Sequence, residues 1–301
     1  MRLKYRYVTV MEDDMNKSKK IRNILDKYSI KYEYKEENSV LGFHWTLVFF
    51  LYEDMEQYEE IKNKIKPFKI NGWIQTEYDL ADMEDAQWYI VYPGSYQYPQ
   101  PDGDDESDLD YRNFTFNLDN YCPLCGIGLT QSNSYRLKQE PKQRNNQFWG
   151  IYWRHDAIFI RQEAKNIFER EKVKGIHFSQ PVIHKNSKPV NNFYQLHIDT
   201  TLNKGFDTNN AQMVTCKINN EEGRKKYNGL IPCGRVKYHT IIKYVFDKNL
   251  FTLGKDFYTS YEYFGSGAYA HRCNIISKNV YEIILKNKLK GLIECYPIFY
   301  A

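Results

Sequence analysis

Residues 159–182 (FIRQEAKNIFEREKVKGIHFSQPV) align without a gap on residues 275–298 (IISKNVYEIILKNKLKGLIECYPI), 116 positions further along the chain. Lys172, Lys174, Gly175 and Pro181 match Lys288, Lys290, Gly291 and Pro297. The apolar positions recur too: Ile167 and Phe168 with Ile283 and Ile284, Val173 with Leu289, Ile176 with Leu292. Apolar residues at helical spacing, set between two short apolar runs, predict the same unit in each copy. That unit is a strand, a helix of about three turns, and a second strand that ends at proline. The shared glycine is expected at the helix C-cap, where a left-handed residue is needed. Two copies imply two related αβ halves packed together, because a lone unit leaves its apolar face open. The repeat reads as architecture before it reads as a binding element.

The first ninety residues alternate between strand and helix periods. Residues 3–10 and 30–35 alternate as strands, 43–52 form a buried strand and 68–78 close the series. Between them, Asn16 offers an N-cap to a helix with Ile21, Ile24, Leu25 and Tyr28 on one face. Met55, Tyr58, Ile61 and Ile65 mark a second helix, stopped by Pro67. The order βαββαβ is that of a ferredoxin-like α+β sandwich over residues 1–92. The chain then turns to Pro93, Gly94, Pro99, Pro101 and Gly103 and to acidic residues from Asp102 to Asp110, a linker over 93–110. Those acids partly mimic a calcium loop, but Ser107 stands where such a loop needs glycine and Asn113 where it needs the bidentate glutamate. The remainder, 111–301, is an α+β domain built on the repeat.

Composition bounds the function. Lys and Arg total 42 against 38 Asp and Glu, a net charge of +4 that excludes a dedicated polycationic binder. The longest apolar run, Val40 to Tyr52, is thirteen residues with His44 inside it, short of the roughly 20 that span a bilayer. With no apolar leader at the start, a cytoplasmic location is expected.

Six cysteines are too few for a disulfide scaffold in a chain of this length. Two of them, in Tyr121-Cys122-Pro123-Leu124-Cys125-Gly126, have the spacing of a zinc knuckle, with two thiolates on a tight turn facing one ion. The candidates to complete it are Cys216 and Cys233, the latter between Pro232 and Gly234. Four thiolates make a closed structural zinc site. A site that has lost its metal and a redox dithiol are the alternatives. Cys273 and Cys295, on or beside strands of the second copy, read as buried small hydrophobes.

Other motifs are weaker. Gly265-Ser266-Gly267-Ala268-Tyr269-Ala270 fits the dinucleotide pattern, but a strand rather than a helix is expected after it, so a flexible turn is the default. Trp153-Arg154-His155-Asp156 sets a histidine beside an acid, a candidate for acid–base work, although a packed turn gives the same pattern. Basic runs at Arg136 to Arg144, along Arg161 to Lys174, at Arg224-Lys225-Lys226 and at Lys286 to Lys290 leave a zinc-ribbon nucleic-acid binder as an alternative.

The order of several segments resembles a known group. Cys122-Pro123-Leu124-Cys125-Gly126, Asp156-Ala157-Ile158-Phe159, Lys174-Gly175-Ile176-His177-Phe178 with Pro181-Val182, Glu262-Tyr263-Phe264-Gly265, and Ile276-Ser277-Lys278 with Lys290-Gly291-Leu292 and Pro297 occur in sequence. Over residues 85–301 they are similar to the bacterial double-CxxCG proteins and the immunity proteins found beside polymorphic toxins. That group has a second paired Cys-x-x-Cys, where this chain separates Cys216 from Cys233 by sixteen residues. The resemblance implies a cytoplasmic, non-enzymatic protein that neutralises a toxin by binding it. Aromatic residues are 16% of the chain. Those in turn-like segments, Tyr96, Tyr98, Tyr258, Tyr261, Tyr263 and Phe264, are the expected partner-binding set, since aromatics carry interface energy at low entropic cost.

Overall fold

The computed structural model describes residues 1–12, 15–39, 42–94, 96–97, 112–141, 145–151, 154–217, 231–252 and 254–301. Tyr98, the acidic loop, Lys142, Arg144, Trp153 and the polar loop with Arg224-Lys225-Lys226 lie outside the described residues. The protein is mixed α+β, mostly strand with few helices. Among the described residues no helix is long and apolar enough to cross a membrane. Two compact units emerge: Met1–Glu84 with Thr240–Lys243, and Asp85–His239 with Tyr244–Ala301.

In the first unit, β1 (Arg2–Glu12), α1 (Met15–Lys27), β2 (Tyr32–Ser39), β3 (Gly42–Tyr52), α2 (Tyr58–Ile65) and β4 (Asn71–Glu77) follow in the expected order. The sheet runs β2-β3-β1-β4 with every neighbour antiparallel. Strand β3 is buried on one face rather than two: Trp45, Leu47, Phe49 and Leu51 are fully enclosed while the residues between them are half-exposed. Period-two alternation does this in any strand with helices on one side only. Ile21 and Leu25 of α1 and Tyr58, Ile61 and Ile65 of α2 complete the core.

The boundary falls at Glu84 rather than at residue 92. β5 (Trp88–Pro93) is buried on both faces after its first residue, because it is an inner strand of the second unit's largest sheet. The stretch expected as linker supplies a strand as well, since Tyr96–Gln97 pairs with β6 (Phe148–Ile151).

The first copy of the repeat is β7 (Arg154–Arg161), α3 (Gln162–Arg170) and β8 (Ile176–Ser179), followed by β9 (Phe193–Ile198). Next come β10 (Gln212–Thr215), β11 (Val236–His239), β12 (Tyr244–Phe246) and β13 (Phe257–Phe264). The second copy is β14 (His271–Ser277), α4 (Lys278–Lys286) and β15 (Leu292–Tyr300). β9 lies between β7 and β8, antiparallel to both. β5 lies in the same way between β14 and β15. The orders β6-β7-β9-β8 and β13-β14-β5-β15 are therefore the same four-stranded unit. In the first copy the inserted strand follows the repeat; in the second it comes from nearly two hundred residues earlier. Pairing registers repeat as well: Phe148 and Trp149 face Ile160 and Phe159 as Phe257 and Tyr258 face Ile276 and Ile275. The helices bury equivalent residues, Ala164, Ile167 and Phe168 in α3 and Val280, Ile283 and Ile284 in α4.

The left-handed residue that ends each helix is a lysine, not the glycine. Lys172 and Lys288 sit at φ 55° and 52°, and the next residue's N–H closes each helix by bonding to Phe168 O or Ile284 O at 3.0 Å. Gly175 and Gly291 do something else. At φ +87° and +110° they pass against the opposite copy, where a Cβ on Gly291 would lie 2.3 Å from Phe148 O. Beside them, Lys174 N donates to Asp256 Oδ2 at 2.9 Å and Lys290 N to Gln147 Oε1 at 2.9 Å. In return Asp256 N and Gln147 N donate to the carbonyls of Lys174 and Lys290. The second strand of the second copy also runs through Pro297, which pairs with Tyr89, before lying parallel to β12.

His155 and His271, again 116 residues apart, meet between the two copies with ring centroids 5.2 Å apart. Burial, then His155, Arg154 and Lys237, lowers the His271 imidazole from 6.5 to about 3.

Two outcomes follow from this geometry. Gly291→Ala should cost about 3 kcal/mol and Gly267→Ala, at φ +56° with open space around its Cβ, about 1 kcal/mol, in urea unfolding. Between pH 6.5 and about 3 the unfolded chain holds a proton on His271 that the folded chain does not. Stability present above pH 6.5 should thus fall by about 1 kcal/mol per pH unit below it. His271→Gln should flatten that slope.

Candidate metal centre

Cys122 N donates to Ile127 O at 2.9 Å and Gly126 N to Cys122 O at 2.8 Å, a tight knuckle that puts both thiols on one side. Gly126 at φ +78° is required there, because a Cβ would lie 2.2 Å from Ala268 O. The other two thiols come from the end of the β10–β11 hairpin. Thr215 faces Val236 in register, and Cys216 N donates to Arg235 O at 2.8 Å just beyond. Antiparallel pairing thus closes the sixteen-residue gap between Cys216 and Cys233.

The sulfurs of Cys122, Cys125, Cys216 and Cys233 all lie within 4.8 Å of one another. Cys122 and Cys216 are 3.7 Å apart and Cys125 and Cys233 3.6 Å. Tetrahedral ligands at the usual metal–sulfur length of about 2.3 Å stand roughly 3.8 Å apart, so the four thiols fit one ion. Ile127 and Ala270 close the interior side, with Leu124 and Tyr263 partly buried against them; Cys233 is the exposed corner.

Two cations flank the cluster. Arg235 Nε donates to Cys233 Sγ at 3.2 Å, and its Nη2 holds Asn120 O at 2.7 Å. Lys237, only 2% exposed, gives its ammonium protons to the carbonyls of Cys125, Gly267 and Tyr269 at 2.5 to 2.9 Å. A divalent ion with four thiolates carries a formal charge of about −2, which these two residues offset without taking a coordination position. Burial pushes the Cys125 and Cys216 thiols up. At Cys233 burial acts in the same direction but the Arg235 hydrogen bonds outweigh it, bringing the thiol down to about 6.

The Gly265 to Ala270 segment is the turn between β13 and β14, and no helix opens in it. Its carbonyls hold Lys237 and its backbone packs on Gly126. It seats the knuckle, and nothing in it resembles a phosphate cradle.

No protein-family model matches this chain, and no curated protein matches it.

The remaining candidates separate by burial. Tyr258 and Phe264 are 0% and 2% exposed, core residues of β13 that no partner can reach. Tyr261 is half-exposed on the same strand, and Tyr263 is partly buried under Arg272. Tyr96 lies in the short strand beside β6, and Tyr98 falls outside the described residues. His155 and Asp156 are not joined as an acid–base pair. The His155 ring rests on His271, and Asp156 Oδ2 takes Arg154 Nη2 at 2.7 Å. Cys273 is buried on β14 and Cys295 lies on β15, both away from the cluster, with thiols raised by burial to about 12. Sequence reasoning missed Arg235 and Lys237, whose signal was their position two and four residues after Cys233.

Cys125→Ser and Cys216→Ser should abolish stoichiometric metal binding, while Cys273→Ser leaves it intact. Arg235→Ala should weaken affinity by about 10- to 100-fold in competition with a chromophoric chelator.

Proposed function

We propose that the chain is a non-enzymatic protein-interaction module stabilised by a structural zinc ion, acting as an immunity protein does by binding a protein partner such as a toxin. The observation that carries the reading is the closed set of four thiols at tetrahedral spacing. Four thiolates leave the ion no open position for water or substrate, so its role is to hold the fold. Zinc suits such a set because it has no redox chemistry and accepts tetrahedral sulfur ligands. The all-antiparallel β2-β3-β1-β4 sheet with its two helices supports a ferredoxin-like first unit, and the paired copies support a duplicated second one.

The immunity reading rests on the order of the motifs over 85–301 and on the surface around the cysteines. Ile231, two residues before Cys233, is 86% exposed, and Tyr269, whose carbonyl holds Lys237, is 41% exposed. Apolar and aromatic side chains on a rigid support are the residues that anchor interfaces. The basic residues of α3 and Arg161 just before it favour a protein partner over nucleic acid. Lys165 pairs with Glu169, Arg170 with Glu171, and Arg161 stacks on Trp149. Such local balance leaves little field for phosphates.

Purified protein should carry about one zinc per chain by emission spectroscopy; zinc-free protein with an unchanged melting midpoint would remove the zinc reading. Co-expressed with a toxin-domain reading frame beside its gene, it should restore growth and form a complex that survives about 0.5 M salt. An active toxin left unbound and unblocked would remove the immunity reading.

A further inference from the structure

Three of the four clustered sulfurs belong to enclosed residues and one does not. Cys122 and Cys125 are 4% exposed and Cys216 8%, whereas Cys233 stands open at the corner. A site that only holds the fold does not need an accessible sulfur, and accessible sulfurs beside a cation are the ones that oxidants reach. Arg235 is that cation. Its Nε donates to Cys233 Sγ at 3.2 Å, and its Nη2 is tied to the carbonyls of Asn120 and Ile127 at 2.7 and 3.2 Å, so the guanidinium lies beside the sulfur.

A second sulfur is within reach of the first. Cys125 Sγ is 3.6 Å from Cys233 Sγ; closing to the bonded length of about 2.05 Å takes a shift of roughly 1.5 Å. Gly234, with nothing within 4 Å of where a Cβ would lie, leaves room for the chain to move beside Cys233. Cys122 and Cys216, at 3.7 Å, form the other pair. Each pair joins the knuckle to the end of the β10–β11 hairpin, so bonding within pairs keeps the two segments tied while it removes the ligands. Cys273 and Cys295 lie away from the cluster and offer no competing partner.

We propose that Cys233 is a peroxide-reactive site, and that its oxidation bonds it to Cys125 and empties the metal centre. The inference rests on the zinc reading of the four thiols and adds a regulation to it. The Cys233 sulfur attacks one oxygen of a peroxide; the O–O bond breaks, leaving a sulfenic acid on Cys233 and releasing hydroxide. The Cys125 sulfur then attacks the Cys233 sulfur; the S–S bond forms, the S–O bond breaks and a second hydroxide leaves. Both hydroxides take protons from solvent, and two electrons have passed from the sulfur pair to the peroxide. Cys122 and Cys216 alone make half a tetrahedral site, and a second peroxide bonds them in the same way. A dithiol reductant returns the electrons and restores the four ligands.

The test treats the zinc-loaded full chain with hydrogen peroxide, reading released zinc with a chromophoric chelator and the cysteines by mass spectrometry after alkylation. About two equivalents of peroxide per chain should release about one zinc and consume about four thiols, with Cys125 joined to Cys233 before Cys122 is joined to Cys216. Dimedone, a sulfenic-acid trap, should label Cys233 first, and a dithiol with added zinc should restore the metal. Cys233→Ala should lose the label and slow peroxide-driven release by about tenfold or more, while Cys273→Ser changes neither. If Cys233→Ala does not fold or hold zinc, the order of labelling and bonding in the unmutated chain carries the test. A chain that takes up no zinc removes the zinc reading, and the site is then judged on the thiols alone, where Cys125 must still bond to Cys233. Zinc and thiols untouched by excess peroxide, first labelling at an enclosed cysteine, a first disulfide between Cys122 and Cys125, or oxidation that a dithiol does not reverse would overturn the proposal.

Discussion

Gln147 and Asp256 each hold the chain just past the helix of the opposite copy. Each accepts the N–H of a lysine through its side-chain oxygen and returns its own backbone N–H to that lysine's carbonyl. This reciprocal pair fixes the relation of the two copies, and much of the second unit follows from it. Gly175 and Gly291 pass so near the other copy that a Cβ would displace its backbone or the Lys255 side chain. β5 can fill the second copy's inner position because β14 and β15 are already held apart by one strand's width, as β7 and β8 are around β9.

The cysteine cluster is the second fastening. It joins the knuckle at 122–126 and the end of the β10–β11 hairpin, while the turn at 265–270 packs on it through Gly126 and Lys237. An ion bound by the four sulfurs would close long loops, whose entropic cost grows slowly with length while metal–thiolate bonds are strong. Charge explains the choice of neighbours. A buried lysine with its protons on three carbonyls is expensive alone and well placed beside four sulfurs that become thiolates when they bind an ion.

Aromatic side chains divide in a way that the sequence signalled for one part only. Trp45 and Phe49 alternate on β3, and the period-two pattern predicts a strand for them. Tyr258 and Phe264 look like turn aromatics in sequence because the Tyr-rich run 257–264 ends at Gly265-Ser266-Gly267. They are core because β13 is an inner strand between β11 and β14. Conversely the alternation that marks β3 as a strand does not say whether its second face is covered, and here helices cover only one.

The sequence by itself determined the order of strands and helices in the first unit and the ungapped recurrence 116 residues apart, and it offered four of the six cysteines as candidates for one site. Those features are local, set by apolar period, by an ungapped repeat, and by thiols that stand in turns. Only the tertiary structure decided that Trp88–Pro93 leaves the first domain, that the repeat glycines serve close approach rather than helix capping, and that His155 meets His271 instead of Asp156. Each of these depends on which strand lies beside which. Pairing between residues a hundred or more positions apart is fixed by the packing of the whole unit and leaves no periodic trace in the segments that pair.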